Sequence, residues 1–285
     1  MPATCPARAS VPARPRNFQF SVFNLQSSPP ANPINPGYLE PAPMLSVIVP
    51  AHNEEQLLGS TLAAIQRALA VLGRPSELLV VDDASTDRTA AIAREHSARV
   101  IPVAHRQIAA TRNAGGQAAQ GDLLLFVDAD TLVTPEAVRA AVAALEKGAA
   151  GGGTVFRFEG QLPFYARVIY HLTIPLYRIL SLTSGCFLFC TRAAFQATGG
   201  FDTQLFAAEE ISFARALRRQ GRVIVLREPV TTSGRKLRTH TPRELLRLFL
   251  HVALSGKKSL HRRDGLDLWY GQRRSDPHVS NSEER

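Results

Sequence analysis

Cysteine is scarce in this chain. Cys5, Cys186 and Cys190 are the only three among 285 residues, too few and too unevenly placed for a disulfide framework. No Cys/His cluster has zinc-like spacing, so a structural zinc site is not expected. Cys186 and Cys190 flank Phe-Leu-Phe and read as small apolar packers in a buried strand. Long apolar runs are missing as well. The aromatic-rich stretch 160–183 is interrupted by Pro163 and Pro175 and falls short of the roughly 18 uncharged apolar residues of a membrane span. It reads as core packing, with a hydrophobic acceptor groove as the alternative. Acidic residues are outnumbered, 24 Asp/Glu against 33 Lys/Arg, and the net charge of +9 favours a polyanionic partner: phosphate, nucleic acid or an anionic membrane. No nucleic-acid-binding motif accompanies the charge, so no nucleic-acid partner is expected. The N-terminal arginines Arg8, Arg14 and Arg16 are not followed by the apolar core and cleavage site of a secretory signal. A cytoplasmic location is the resulting expectation.

With 45% apolar and 20% charged residues, the chain has material for a substantial core. Residues 1–43 are dominated by Pro, Ala, Asn and Ser and are expected to be disordered, with Met44 as an alternative start. Beyond them, apolar runs at Leu45–Val49, Glu77–Val81, Arg99–Val103 and Leu123–Val127 alternate with helical periodicity over about 54–72, 86–98, 107–120 and 135–147. Alternation of this kind predicts a doubly wound, mostly parallel sheet with helices on both faces, in a single domain over 44–240. A basic amphipathic helix and tail are expected over 241–285.

Leu-Leu-Leu-Phe-Val-Asp-Ala-Asp-Thr, residues 123–131, is the most informative stretch. It reads as a buried strand that ends by presenting Asp128 and Asp130 on one face, because residues two apart in a strand point the same way. Paired carboxylates repel unless a cation lies between them, and a hard divalent ion with oxygen ligands meets that need. Ligands of doubly wound sheets bind at the carboxyl ends of the strands. Pro50 to Glu55, Asp82-Asp83 and Asp128-Ala-Asp130 all fall at such ends.

Val47-Ile-Val-Pro-Ala-His-Asn-Glu-Glu55, Val80-Val-Asp-Asp-Ala-Ser-Thr-Asp87, Ala110-Thr-Arg-Asn-Ala-Gly115, Phe126-Val-Asp-Ala-Asp130 and Gly199-Gly-Phe-Asp202 with Glu209-Glu210 resemble, in this order, the motifs of family-2 glycosyltransferases with the GT-A fold. The resemblance covers about residues 44–235. It implies a nucleotide-diphosphate sugar donor (a UDP- or GDP-sugar), Mg²⁺ or Mn²⁺, and inversion at the anomeric carbon. Carried over by position, it implies that Pro50, Ala51 and Glu54 line the nucleotide pocket and that Asp83 accepts a hydrogen bond from the base. It puts Arg112 near the diphosphate, Asp130 on the metal, and Asp128 on the ribose or a metal-bound water. Glu210 stands where the family has its general base, beside Glu209. The pair Glu-Glu departs from the usual Glu-Asp, and the extra methylene shifts the carboxylate.

From Arg215 to Arg274 the chain carries 16 Lys/Arg against 4 Asp/Glu. Thr231 to His240 reads as a flexible basic loop that closes over the diphosphate with Arg235 and Arg238, and the resemblance makes His240 a further candidate metal ligand. The other reading of this region is peripheral contact with an anionic membrane, at the inner face of the cell membrane, through Lys and Arg with Leu246, Phe249 and Leu250 at the interface. That would suit a lipid-linked acceptor; the acceptor itself is not identified by the sequence. Two rival functions remain at this point. Phe126 to Thr131 also fits the Asp-x-Asp-x-Thr pattern of haloacid-dehalogenase-type phosphatases, with Asp128 as nucleophile, although two βα units precede it here. A catalytically inactive glycosyltransferase-like binding protein is the second, because of the Glu210 departure.

Overall fold

The computed structural model describes residues 42–160, 163–165, 167, 185–245, 247, 260–263, 265–266 and 270–271. The Pro-rich segment up to residue 41, most of the aromatic-rich stretch, and Leu246, Phe249 and Leu250 lie outside them. Among the described residues eight strands form one sheet in the order β3-β2-β1-β4-β7-β6-β8-β5. Its parallel half is β1 (Leu45–Ala51), β2 (Ser76–Asp83), β3 (Arg99–Val103) and β4 (Leu123–Val127). The other half is β5 (Thr131–Leu132), β6 (Gly151–Glu159), β7 (Phe187–Thr191) and β8 (Val223–Ser233), where β7 runs antiparallel to both β4 and β6.

The apolar runs of β1, β2 and β4 are continuous because these strands are covered on both faces, whereas the edge strand β3 is only partly buried. Val47 and Val49, Leu78 and Val80, Leu123 and Leu125 pack into one core with α1 (Leu58–Leu72) and α4 (Pro135–Glu146). Their alternates Ile48, Leu79, Val81, Leu124 and Phe126 pack on the other side with α3 (Ile108–Ala118), α5 (Arg192–Thr198) and α6 (Glu209–Gln220). The helix α2 (Thr89–Glu95) contributes Ala93 to the first core. The two-sided sheet is as the sequence predicts. The chain proceeds from β1 outward to β3 and then returns to the opposite side of β1 with β4, which creates the switch point where α/β sheets bind ligands.

Several local readings change. The helix expected from Glu54 starts at Leu58, and the amides of Glu54 and Glu55 bond instead to Thr89 Oγ1 and Asp87 Oδ2. The second helix stops at Glu95, before Ser97 enters the left-handed region at φ 54°. β6, which the sequence reading did not foresee, opens on Gly151-Gly-Gly153, and a Cβ on Gly152 would lie 2.0 Å from the Ile224 carbonyl oxygen, so only glycine lets β8 approach there. Its partner β8 contains Pro229 beside a register shift at Thr154/Phe156, a position where the ladder tolerates a missing donor. The supposed basic loop 231–240 is instead the end of β8 followed by the one-turn helix α7 (Arg235–Thr239). The amphipathic helix after it is described only over its start, where Thr241 and Glu244 cap each other, 2.7 Å from the Thr241 amide to Glu244 Oε2. Cys186 and Cys190 are buried thiols outside any disulfide, and burial pushes Cys190 far above the usual thiol range, in keeping with a packing role.

One close approach positions α3 over the sheet. A Cβ on Gly115 would meet Ile48 Cγ2 at 2.3 Å and Val81 Cγ2 at 2.8 Å, both on stiff β-branched side chains. Gly115→Ala should therefore destabilise the fold by about 1–3 kcal/mol in urea unfolding, despite alanine's better helix propensity.

Candidate active site

The loops after β1 and β2 are laced to each other. The Asn53 amide donates to Ser85 Oγ at 3.0 Å, the Thr86 amide donates back to Asn53 Oδ1 at 2.8 Å, and the Glu54 amide reaches Thr89 Oγ1 at 2.8 Å. Asn53 and Ala84 take positive φ (51° and 54°), which lets the two turns face each other. Asp83, at the end of β2, accepts from the amides of Arg106 (2.8 Å) and Gln107 (3.1 Å) at the start of α3. The Thr111 hydroxyl lies 2.7 Å from Asp83 Oδ2 and 2.8 Å from the Gln107 carbonyl, and its single proton favours the charged acceptor. Pro50, Ala51, Asp83 and Thr111 then line a cavity of about 90 Å³.

A second cavity, about 300 Å³, brings Arg112, Asp128, Asp130, Glu209 and Glu210 to one place. Asp128 and Asp130 meet there for a different reason from the one expected. β4 ends at Val127, and the two carboxylates sit in the turn that follows, closed by the Thr131 amide on the Asp128 carbonyl at 3.1 Å. β8 holds the far side of the turn through the Ser233 amide on the Asp130 carbonyl, 3.0 Å.

Arg112 departs most from its expected role. It is 1% exposed and both of its Nη groups are engaged, Nη1 with Glu209 Oε1 at 2.8 Å, Nη2 with Asp128 Oδ1 at 2.8 Å and with the Gly185 carbonyl at 2.9 Å, while Nε is buried without a hydrogen-bond partner. Its guanidinium also lies 5.4 Å from the centre of the Phe201 ring. Burial alone would lower its pKa, but Asp128 and Glu209 outweigh burial and hold it above the ordinary arginine value. Arg112 therefore ties the acidic turn to the acidic pair and has no outward fork for a diphosphate. Arg235 departs in the same way. Its Nη2 sits 2.9 and 2.7 Å from the two carboxylate oxygens of Glu54, both residues being buried, so each expected nucleotide contact is the other's ion-pair partner. Arg238 is half-buried, with Nη1 on the Glu159 carbonyl at 2.7 Å, and does not line the cavity. Besides Arg112, Lys236 is a cation in the cavity wall, and the sequence reading passed it over.

Glu209 and Glu210 open α6 directly after Ala208, a non-glycine residue held at φ 61°. Glu209 is consumed by Arg112, whereas Glu210 borders the cavity beside Gly185, whose Cβ would lie 3.6 Å from Glu210 Cγ. Burial first, and then the neighbouring Glu209 charge, push the Glu210 carboxyl up to about 7.

As for a metal, Asp128 and Asp130 offer oxygens on one cavity wall, and Arg112 engages only Oδ1 of Asp128. An all-oxygen set of two carboxylates fits Mg²⁺ or Mn²⁺ of the kind that completes its shell with phosphate oxygens and water. A closed cage is not present: among the described residues no three His, Cys, Asp or Glu side chains are placed so that together they could hold a metal ion. His240 does not join the carboxylates, since its Nδ1 lies 2.9 Å from the Lys236 carbonyl and the residue is not in the cavity wall. Among the described residues no helix is long and apolar enough to cross a membrane.

Comparison with known proteins adds three findings. The sequence model of "Glycosyl transferase family 2" matches residues 46–197. A validoxylamine A glucosyltransferase of Streptomyces hygroscopicus subsp. limoneus is 32% identical over 146 residues, 47% of this chain and 31% of that protein. An undecaprenyl-phosphate 4-deoxy-4-formamido-L-arabinose transferase of Pseudomonas aeruginosa (strain LESB58) is 36% identical over 105 residues, 34% of this chain and 31% of that protein. The matched chain thus spans under a third of each of these relatives. Among solved structures, a Pyrobaculum calidifontis mannosyltransferase in complex with GDP-Man and Mn²⁺ superposes with a TM-score of 0.58 at 20% identity, covering 84% of this chain and 69% of the other. Mycobacterium tuberculosis glucosyl-3-phosphoglycerate synthase with Mn²⁺, UDP and glucosyl-3-phosphoglycerate gives 0.55 at 20% identity over 77% and 80%.

Replacing Arg112 by methionine removes the cation from two carboxylates in the cavity floor. Urea unfolding at pH 7 should show a loss of about 3–5 kcal/mol. Arg88→Met, which breaks the exposed 3.0 Å pair with Glu95, should change little.

Proposed function

The chain belongs to glycosyl transferase family 2, and from that premise we propose that it is an inverting, metal-dependent glycosyltransferase that moves a sugar from a nucleotide-diphosphate donor to an acceptor hydroxyl or phosphate. The observation that carries this reading is the adjacency of two cavities at the carboxyl ends of β1, β2 and β4: a small one around Asp83 and a larger one where Asp128, Asp130 and Glu210 converge. In it, the nucleoside occupies the small cavity and the sugar diphosphate extends toward Asp128 and Asp130. A bound divalent cation would neutralise charge on the departing diphosphate. Lys236 lies in the same wall and adds a positive charge. Glu210, ionised, accepts the proton of the acceptor hydroxyl as its oxygen bonds to the anomeric carbon from the face opposite the leaving group. The C–O bond to the diphosphate breaks with its electron pair, and a nucleoside diphosphate leaves. Arg112 and Glu209 serve by position, fixing Asp128 and the start of α6. The phosphatase reading is set aside by the family match over residues 46–197.

A lipid-linked acceptor met at an anionic membrane surface is the acceptor class favoured here. Its supports are the basic run after Arg215 and the undecaprenyl phosphate in the Pseudomonas relative's name.

Release of nucleoside diphosphate from a panel of UDP- and GDP-sugars, with and without Mn²⁺, tests the reading, and no metal-dependent turnover of any donor would end it. Glu210→Gln should lower turnover about 10²–10⁴-fold with little change in nucleotide affinity. Because Glu210 must be ionised to act, kcat/KM should rise with pH through about 7. The stability sign is opposite. A carboxyl raised from 4.5 to about 7 on folding supports the fold fully below 4.5, and that support is lost as pH rises to about 7. Glu210→Gln should thus melt higher than the parent at pH 8 and match it near pH 4. Asp130→Ala should abolish the Mn²⁺-dependent part of nucleotide binding, measured by calorimetric titration; unchanged affinity would remove Asp130 from the metal site.

A further inference from the structure

The loop that leads into α6 carries Phe206, Ala207 and Ala208 into the wall of the large cavity, immediately before Glu209 and Glu210. It is neither helix nor strand, so its backbone groups need partners from elsewhere. On one side α3 supplies them: Gln107 Nε2 donates to the carbonyls of Thr203 at 2.6 Å and Leu205 at 3.2 Å. On the other side they come from a segment far outside the family match. The Phe206 amide donates to the Leu260 carbonyl at 2.7 Å, and His261 Nδ1 lies 3.0 Å from the Gln204 carbonyl. Leu266 is fully buried, and the Tyr270 and Phe206 rings meet edge to face at 5.7 Å. Arg263 braces Tyr270 in turn, with its guanidinium 5.2 Å from the ring centre and its Nη2 donating to the Tyr270 carbonyl at 3.1 Å. The far end of Tyr270 is buried, with the backbone of Ile108 at the start of α3 as the neighbour of its hydroxyl. Arg263 and Tyr270 also border the small cavity.

Resting on the assignment of Glu210 as the base, we infer that Tyr270 is a positioning residue for the catalytic pair: held between the start of α3 and Phe206, its ring fixes the turn from which Glu210 enters the cavity. Two observations carry this. Ala208, the residue before the pair, stands at φ 61°. A non-glycine residue in that region costs about 1–3 kcal/mol and keeps the conformation only where its surroundings over-determine it. Phe206, two residues earlier, is the point at which they do so, since its amide and its ring are both clamped by the 260–270 segment. The second observation is the way α6 is held. Phe213 and Leu217 seat its middle in the core, and at its start Arg112 pins Glu209. Glu210 is the next residue, about 100° further round the axis, so the Arg112 pair does not aim it. Its direction follows from how the chain enters the helix, and Ala208 brings no side-chain cap to fix that entry. The ring contact from Tyr270 to Phe206 supplies the missing constraint.

Nucleoside diphosphate release by the full chain, measured across neutral pH with the donor that the sugar panel selects, tests this. Tyr270→Ala should lower kcat about 10–10²-fold, the effect of misplacing a reacting group by about 1 Å, with a smaller change in donor KM. Loosening the turn also lets water reach Glu210, so the midpoint at which kcat/KM rises should move from about 7 toward 4.5. Among the described residues the charged groups around Glu210 are Glu209 on its own helix, Arg112 on α3, Asp128 and Asp130 in the turn after β4, and Lys236 on α7. None of these is altered in the variant, so the shift reads the change in burial. Tyr270→Phe keeps the ring on Phe206 and should return kcat to within a few-fold of the parent, with the parent's midpoint. Arg263→Ala, an exposed change that removes the brace, should show both effects in weaker form, and it decides the matter should Tyr270→Ala not fold. A lower melting temperature in Tyr270→Ala with kcat and midpoint unchanged would reduce Tyr270 to packing and overturn the inference, as would a loss in Tyr270→Phe equal to that in Tyr270→Ala. Undiminished turnover in Glu210→Gln would instead remove the base assignment on which the inference rests.

Discussion

Four carboxylates, Asp128, Asp130, Glu209 and Glu210, face one cavity, and the fold permits this because a single buried guanidinium stands among them. Two unit charges about 4 Å apart at an effective dielectric of 20 repel by about 4 kcal/mol, so an uncompensated cluster would push the acidic turn and α6 apart. Arg112 supplies the compensation, and its helix does more. Within one turn of α3, Thr111 reaches Asp83, Arg112 joins Asp128 to Glu209, and Asn113 exchanges hydrogen bonds with the Phe201 backbone at 2.7 and 2.8 Å. Gly115 then lets that turn sit directly on β1 and β2. Four motifs scattered over the sequence are gathered by one helical turn.

The same logic explains why Glu210 is left with a raised pKa. Arg112 has two Nη groups, and both are committed elsewhere, so Glu210 feels the burial and the Glu209 charge with only partial relief from the cation. A carboxyl that titrates near neutrality is costly to a fold and useful to a proton transfer, because the best base has a pKa near the working pH. The strained φ of Ala208 marks the same spot.

The sheet, its two-sided burial and the three acidic loop positions were legible in the sequence because they follow from local patterns: apolar runs, helical periods and turn residues. The roles of Arg112, Glu54 and Arg235 were not. Their partners lie 97 and 181 residues away, and no spacing rule couples such positions. Arg112 was singled out correctly as part of a motif but assigned to the diphosphate, since a sequence does not say whether an arginine faces a ligand or the protein. β6 and β8 escaped for a different reason. Three glycines and a strand proline are loop signals locally, and only the close approach of neighbouring backbone turns them into a ladder. Lys236, Arg263 and Tyr270 carried no motif at all and become visible only when the chain's end is folded against its beginning.

The ion pairs fall into two populations, and ionic strength separates them. Arg112 with Asp128 and Glu209, and Arg235 with Glu54, have side chains that are mostly inaccessible to solvent, whereas Arg88 and Glu95 are 70% and 57% exposed. Mobile ions screen charges across water over about 8 Å at physiological salt, yet they do not enter a packed interior. Added salt therefore weakens the long-range pull of the basic surface on anions while leaving the clasp around the cavity intact. The electrostatics that draw a charged molecule in and the electrostatics that shape its berth are physically independent, and each is free to change without disturbing the other.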